Sequence, residues 1–153
     1  VSSPGRLEIL HRDPTVIIDA AHNPHGATAL ADTIRNEFDF ESIFCVLGIL
    51  GEKDVKGVLR ALEPVVDRLI VTKSDSPRAL PVAELFAVAV QVFGNDRVFK
   101  EDDLNSAITY AMEQATLINQ VSDGVSAVVI TGSVVTAGSA REILRKIGRS
   151  EEK

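Results

Sequence analysis

Residues 19–24, with the sequence Asp-Ala-Ala-His-Asn-Pro, combine side chains that could bind a nucleotide. A carboxylate such as Asp19 can accept two hydrogen bonds from a ribose diol. His22 adds a donor that can switch to an acceptor, and Asn23 adds an amide where a helix is predicted to begin, a position that favours phosphate. The alternative is purely structural: Asp19 caps a turn, His22 is a loop histidine and Asn23 caps the helix.

Two further polar stretches follow apolar runs. Residues 48–54 contain two glycines that would let the backbone approach a ligand, and Lys53 is a compact cation suited to a carboxylate or phosphate. Ser133 belongs to a Thr-Gly-Ser turn whose N–H groups and hydroxyl could hold an anion. The structural alternatives are a helix capped by Asp54 with Lys53 solvated, and a helix capped by Ser133. Neither GxGxxG nor GxxxxGK[ST] occurs in the chain.

Two arginines are additional candidates. Arg78 lies in the polar stretch 74–79, where its guanidinium could grip a carboxylate with two parallel hydrogen bonds. Arg6 follows Pro4-Gly5 and precedes the first apolar run. Isolated arginines of this kind are more often solvated than functional.

The elements that must position these residues alternate between short β-branched runs and helical patterns, which is typical of a parallel sheet covered by helices. We predict an α/β, Rossmann-like, mostly parallel sheet with one antiparallel hairpin strand near the N-terminus and helices on both faces. The predicted strands are 7–10, 16–18, 42–47, 69–71, 98–99 and 125–131. The predicted helices are 25–38, 55–66 (interrupted by Pro64), one beginning at Pro81, one capped by Asp102, and 134–147. Residues 119–124 are predicted to be a loop. Because Asp19, His22, Lys53 and Ser133 all follow apolar strand runs, we predict that they lie together at the carboxyl ends of neighbouring parallel strands.

The bulk composition narrows the class of protein. With 153 residues we predict one domain spanning 1–153, with a frayed tail at 149–153. A net charge of −6 argues against nucleic-acid binding, and no run is long enough for a membrane span. The single Cys45 lies in an apolar run, so we interpret it as a buried hydrophobe and expect a reducing cytoplasm. Because the chain begins with Val1, we expect a fragment of a longer protein.

Four motifs together resemble a known family. Pro4-Gly5-Arg6-Leu7-Glu8, the stretch 19–24, Gly51-Glu52-Lys53-Asp54 and Thr131-Gly132-Ser133 occur in the order and spacing of the C-terminal domain of folylpolyglutamate synthase and dihydrofolate synthase. That domain shares its fold with the C-terminal domain of the Mur ligases. The resemblance covers the chain from Pro4 to about Ile147. Glu52 departs conservatively from the Asp that the family often has before Lys-Asp.

The resemblance implies an ATP-dependent ligase that adds L-glutamate to folate or dihydropteroate through an acyl phosphate. It implies that Arg6 reaches the ATP phosphates, that Asp19 binds the ribose hydroxyls and that His22 lies beside the nucleotide. Lys53 and Ser133 would touch the incoming glutamate or the acyl phosphate. The phosphate-binding loop and the Mg²⁺ ligands would lie in an N-terminal ATPase domain on which this domain packs. The fragment by itself should therefore be inactive, and the full enzyme should be a monomer.

Three other hypotheses remain open at this point. A Mur-type peptide ligase domain would share the fold and the chemistry, although the Ala-His-Asn-Pro and Pro-Gly-Arg motifs favour the folate branch. A stand-alone nucleotide-binding module would have its own start codon at this boundary, whereas a ligase would have an upstream phosphate-binding loop. A structural partner domain without a ligand would show no shift in melting temperature with nucleotide.

Overall fold

The computed structural model describes residues 7–151 and contains one six-stranded sheet. The strands are β1 (Glu8–His11), β2 (Thr15–Ile18), β3 (Ser42–Leu47), β4 (Arg68–Val71), β5 (Val98–Lys100) and β6 (Ser126–Thr131), in the spatial order β1-β2-β6-β3-β4-β5. Only the β1–β2 pair among them is antiparallel, and the other four pairings are parallel. The predicted α/β class and the N-terminal hairpin are therefore confirmed.

Within residues 7–151, five α-helices cover the two faces of the sheet. They are α1 (Pro24–Glu37), α2 (Val55–Leu62), α3 (Val82–Phe93), α4 (Leu104–Val121) and α5 (Val134–Glu151). Alternate residues of each strand point to opposite faces, so Val129 packs with α1, α2 and α3 whereas Val128 and Ile130 pack with α4 and α5. The central strand β6 is buried along its whole length, as its nearly unbroken apolar sequence predicts.

Polar side chains cap the N-termini of α1, α2 and α4. Asn23 caps α1 through a 2.8 Å bond from the Gly26 N–H, and Asp54 caps α2 through a 3.0 Å bond from Gly57. The prediction that Asp102 caps α4 is wrong by one residue, because Asp103 accepts the Ser106 N–H at 2.9 Å. Adjacent aspartates look alike in the sequence, and only the backbone conformation distinguishes them.

Two predicted irregular segments are partly helical. Helix α4 continues to Val121, and Asn119 on its last turn accepts the Ser126 N–H at 2.7 Å, which fastens the helix to the start of β6. The prediction of a loop at 119–121 is therefore wrong. Residues 149–151 of the tail that was predicted to fray belong to α5, which extends to Glu151, and the Glu151 carboxylate accepts a hydrogen bond from His11 Nε2 at 2.9 Å. This contact joins residues 140 positions apart, which no local pattern reveals.

Cys45 lies in the middle of β3 and is completely buried. Burial raises the pKa of its thiol to about 12, because the thiolate would lose its hydration. The interpretation of Cys45 as a small buried hydrophobe is confirmed. Over the described range 7–151, no helix is long and apolar enough to cross a membrane.

Candidate active site at the switch point of the sheet

Around β6, neighbouring strands lead into helices on opposite faces of the sheet. Strands β2 and β3 lead into α1 and α2 on one face, whereas β6, which lies between them, leads into α5 on the other face. Open α/β sheets bind ligands in the crevice outside the carboxyl ends of strands at such a switch point. The three polar stretches singled out in the sequence begin at the carboxyl ends of these three strands.

The turn after β2 is built around Asp19. Its backbone N–H donates to the Ile130 carbonyl at 3.1 Å, which extends the β2–β6 ladder. Its Oδ2 accepts the Ala21 N–H at 2.9 Å, so the carboxylate shapes the turn that carries His22. The residue is only 1% exposed. Asp19 therefore caps a turn, as the structural alternative predicts. Any contact with a ligand would have to be made from this buried position.

His22, which follows in the same turn, is only half-buried. Its Nδ1 lies 3.1 Å from the Ala20 carbonyl oxygen. A carbonyl can only accept, so Nδ1 carries the proton and Nε2 of the neutral ring is left as an acceptor. The ring is therefore held by its own turn, with one nitrogen remaining for another group.

The turn after β6 fits tightly between its neighbours. Gly132 has a φ of +123°, and its N–H donates to the Ala21 carbonyl at 3.1 Å. Ser133 is 2% exposed, and its Oγ accepts the Thr136 N–H at 2.9 Å, which is the geometry of a helix N-cap. Ser133 therefore caps α5, as the structural alternative predicts, and its hydroxyl is buried in the protein interior.

The loop after β3 carries Lys53 and is held at both ends. At its start, the Gly48 N–H donates to the Thr131 carbonyl at 3.2 Å. Further along, Leu50 and Ala79 form an isolated antiparallel bridge, closed by the Gly51 N–H on the Arg78 carbonyl at 2.9 Å. These contacts fix the path of the loop relative to β6 and to the loop after β4.

Lys53 is half-buried in this loop, and among residues 7–151 its ammonium has no ion-pair partner. Arg78, in contrast, forms an ion pair with Glu52, and both side chains are largely exposed. Lys53 is therefore available to an anionic ligand, whereas Arg78 would first have to leave Glu52.

The structure thus divides the predicted site residues. Asp19 and Ser133 follow the adjacent strands β2 and β6, but their side chains are buried. His22 and Lys53 present partly exposed side chains near the same edge. Arg6 lies outside the described residues.

Sequence reasoning missed Thr136, whose hydroxyl bonds both to Ser133 and to the Gly48 carbonyl. The signal that could have revealed it is the Ser-x-x-Thr spacing after a strand, in which a capping serine meets the third residue of the helix.

A cavity of 790 Å³ lies elsewhere, between the second half of α4, the end of α5 and Pro14 of the hairpin. It is near the amino end of β2, the end of the strands at which α/β sheets do not place their ligands, so we do not assign the site to it. Within the described part of the chain, no three His, Cys, Asp or Glu side chains form a group that could hold a metal ion.

An open α/β sheet with its polar turns gathered at a switch crevice is the architecture of ligand-binding α/β domains. The sequence profile of the Mur ligase, glutamate ligase domain matches residues 5–134. The chain belongs to this family.

The sequence is 51% identical, over 149 residues, to the dihydrofolate synthase/folylpolyglutamate synthase of Mycobacterium tuberculosis, covering 94% of this chain and 31% of that protein. The structure of the M. tuberculosis folylpolyglutamate synthase complexed with ADP and AMPPCP superposes with a TM-score of 0.88 over 94% of this chain and 33% of that one.

Two other bacterial structures are also similar. E. coli FolC in complex with DHPP and ADP is 28% identical, with a TM-score of 0.78, 94% of this chain covered and 32% of that one. The Yersinia pestis folylpolyglutamate synthase/dihydrofolate synthase with AMPPNP and Mn is 26% identical, with a TM-score of 0.68 and the same coverage, 94% and 32%. The chain thus spans about a third of the length of these relatives.

Proposed function

We propose that this chain is the C-terminal domain of an ATP-dependent ligase that adds L-glutamate to folates, either a folylpolyglutamate synthase alone or one that also has dihydrofolate synthase activity. The observation that carries the proposal is the 51% identity, across nearly the whole chain, to a relative named for both activities. Relatives of the same fold have been solved with adenine nucleotides, and one of them with Mn. ATP with Mg²⁺ is the corresponding cosubstrate pair proposed here.

The chemistry explains why such a ligase needs this edge of the sheet. Activation of a carboxylate to an acyl phosphate moves charge onto phosphoryl oxygens, so cations must be placed in advance. We assign this electrostatic role to Lys53 and Arg6, and a place beside the nucleotide to His22. We assign the ribose to Asp19, acting from its buried turn. A neighbouring N-terminal domain that closes over the crevice would protect the activated acid from water.

The direct test is turnover by the full-length protein. We expect ADP release that requires a folate or dihydropteroate together with L-glutamate, measured by a coupled assay. A nucleotide-linked muropeptide should not replace the folate. ADP release with the muropeptide alone would instead favour a Mur-type peptide ligase, and nucleotide binding without turnover of any acid would favour a nucleotide-binding module.

The isolated 153-residue chain is expected to fold, to bind ATP weakly and to turn over nothing. It has complete apolar layers on both faces of the sheet, yet it contains no GxxxxGK[ST] loop to cradle phosphates. Circular dichroism tests folding, and calorimetry tests binding. Submicromolar ATP affinity, or ADP release that depends on folate and glutamate, would contradict this prediction.

In the full-length enzyme, Asp19→Ala is expected to raise the KM for ATP with little change in the KM for glutamate, since a lost hydrogen bond to a charged group costs about 1.5–3 kcal/mol.

Arg6→Ala is expected to lower mainly kcat, because the loss of an interaction that strengthens in the transition state appears in kcat. Arg6→Lys should restore little, since an ammonium cannot reproduce the guanidinium fork.

These variants are compared by steady-state kinetics, with ATP and glutamate varied separately. Because Asp19 also shapes its turn, melting temperatures are measured alongside, and Asp19→Asn serves as the variant closest in shape. A lower melting temperature with an unchanged KM for ATP would reduce Asp19 to a turn residue. Wild-type kcat in Arg6→Ala would remove Arg6 from the phosphates.

A further inference from the structure

A chain of buried hydroxyl groups joins the two turns on either side of the crevice. Ser133 Oγ lies 2.9 Å from Thr136 Oγ1, and Thr136 Oγ1 lies 2.8 Å from the Gly48 carbonyl oxygen. Thr136 is 0% exposed and Ser133 is 2% exposed. These hydrogen bonds connect the turn after β6 to the first residue of the loop that carries Lys53.

The Gly48 carbonyl determines which group donates and which accepts in each of these hydrogen bonds. The Gly48 carbonyl can only accept, so the Thr136 hydroxyl must donate to it. Thr136 Oγ1 is then an acceptor for the Ser133 hydroxyl, while Ser133 Oγ accepts the Thr136 backbone N–H at 2.9 Å. The hydroxyl hydrogen of Ser133 is thus committed to the protein interior.

We propose that Thr136 is a positioning residue for the ligase reaction: it fixes the Lys53 loop against the start of α5 and directs the Ser133 hydroxyl away from the ligand. This inference rests on the proposed function. The turn then offers a ligand the backbone N–H groups of residues 133–135, which have no carbonyl one turn earlier within α5, whereas the Gly132 N–H is already bonded to the Ala21 carbonyl. Ser133 acts through the shape of the turn rather than by touching substrate.

Because the turns after β3 and β6 pack closely, loss of the Thr136–Gly48 hydrogen bond should change the position of both. A Cβ atom added at Gly48 would lie 3.2 Å from Thr136 Oγ1 and 3.4 Å from the Lys73 Cα, so the peptide of Gly48 is packed on two sides. If the Thr136 hydroxyl is removed, the buried Gly48 carbonyl loses this donor and the Ser133 hydroxyl loses its acceptor. Both turns are then expected to shift, because leaving buried polar groups without hydrogen-bond partners raises the free energy of the folded state.

The test uses the full-length ligase with Thr136→Val, which keeps the shape and removes the hydroxyl. We expect kcat to fall about tenfold or more, since small misplacements of catalytic groups carry large penalties. Thr136→Ser should restore most of kcat, because it keeps the hydroxyl. Thr33→Val is the matched control, since Thr33 makes a similar bond to the Ala29 carbonyl at 3.0 Å on α1, and it should keep wild-type kcat.

A double-mutant cycle separates a shared hydrogen-bond chain from two independent roles. Ser133→Ala and Thr136→Val together should lower kcat no more than the worse single variant, because both interrupt the same chain. If Ser133 instead touches the substrate and Thr136 only stabilises the fold, Thr136→Val keeps kcat or the two effects multiply, and either result overturns the proposal.

A measurement without ligands keeps this inference separate from the proposed function. Hydrogen exchange of peptides covering residues 48–54, followed by mass spectrometry on the ligand-free full-length protein, should be faster in Thr136→Val and unchanged in Thr33→Val. Unchanged exchange in Thr136→Val would refute the link even if the enzyme is a ligase. Faster exchange in a protein with no ligase activity would leave the link standing and refute the proposed function.

Discussion

Gly132→Ala is expected to destabilise the 153-residue chain by about 3 kcal/mol or more, the sum of backbone strain and overpacking. The φ of Gly132 is +123°, a conformation that residues with a Cβ rarely adopt. The added Cβ would also overlap the Gly48 carbonyl oxygen and lie 2.8 Å from its carbon. Urea denaturation monitored by circular dichroism measures the loss in the free energy of unfolding.

Two other glycines serve as matched controls for this result. Gly94 has a φ of +88° with no atom within 4 Å of an added Cβ, so Gly94→Ala should show the backbone strain alone, about 1–3 kcal/mol. Gly138 lies within α5 with open space around it, so Gly138→Ala should stabilise the helix by about 0.5–1 kcal/mol. If Gly132→Ala costs no more than Gly94→Ala, the close contact between the turns after β6 and β3 is not real.

Lys53→Ala in the full-length enzyme is expected to lower kcat about a hundredfold or more, the size of effect seen when one group that stabilises transition-state charge is removed. The residue is half-buried in the loop after β3, and within the described residues no carboxylate pairs with it. Lys53→Arg should recover little of kcat, because the guanidinium is larger, planar and differently hydrated. Steady-state kinetics at saturating ATP, folate and glutamate measure the effect.

Lys56 provides the control for charge alone. It is an exposed lysine on the first turn of α2, three residues from Lys53, and Lys56→Ala should leave kcat unchanged. The melting temperature of Lys53→Ala should match the wild type, since no contact that stabilises the fold is removed. Wild-type kcat in Lys53→Ala would exclude the residue from the reaction, and equal losses in both variants would point to the overall field of the domain.

Most of the fold could be predicted because its signals are local. The run at 125–131 predicts β6, and the apolar spacing after Pro24 predicts α1, since both depend on neighbours within a few residues. The errors fall at the ends of helices, where the apolar spacing gives no signal. Helix α4 extends past Asn119 because this side chain bonds to Ser126, and α5 reaches Glu151 because His11 meets its carboxylate.

The location of the candidate site on the sheet could be predicted from the sequence, but the contacts of its side chains could not. Because parallel strands end at the same edge of a sheet, the sequence alone indicated that the turns bearing Asp19, Lys53 and Ser133 would lie along one edge. It also contained the motifs by which the family is identified. The order of the strands, with β6 between β2 and β3, is what makes the turns after β2 and β6 neighbours.

The sequence by itself determined the class of the fold, the family and the edge at which polar residues collect, because apolar periodicity and motif spacing are properties of short segments. Only the tertiary structure decided which of the candidate polar side chains are buried and which stay partly exposed. A buried hydroxyl or carboxylate takes its partners from residues far along the chain, as Thr136 does from Gly48, 88 positions away. Asp19 and Ser133 are therefore buried in the turns that they shape, whereas His22 and Lys53 remain partly exposed.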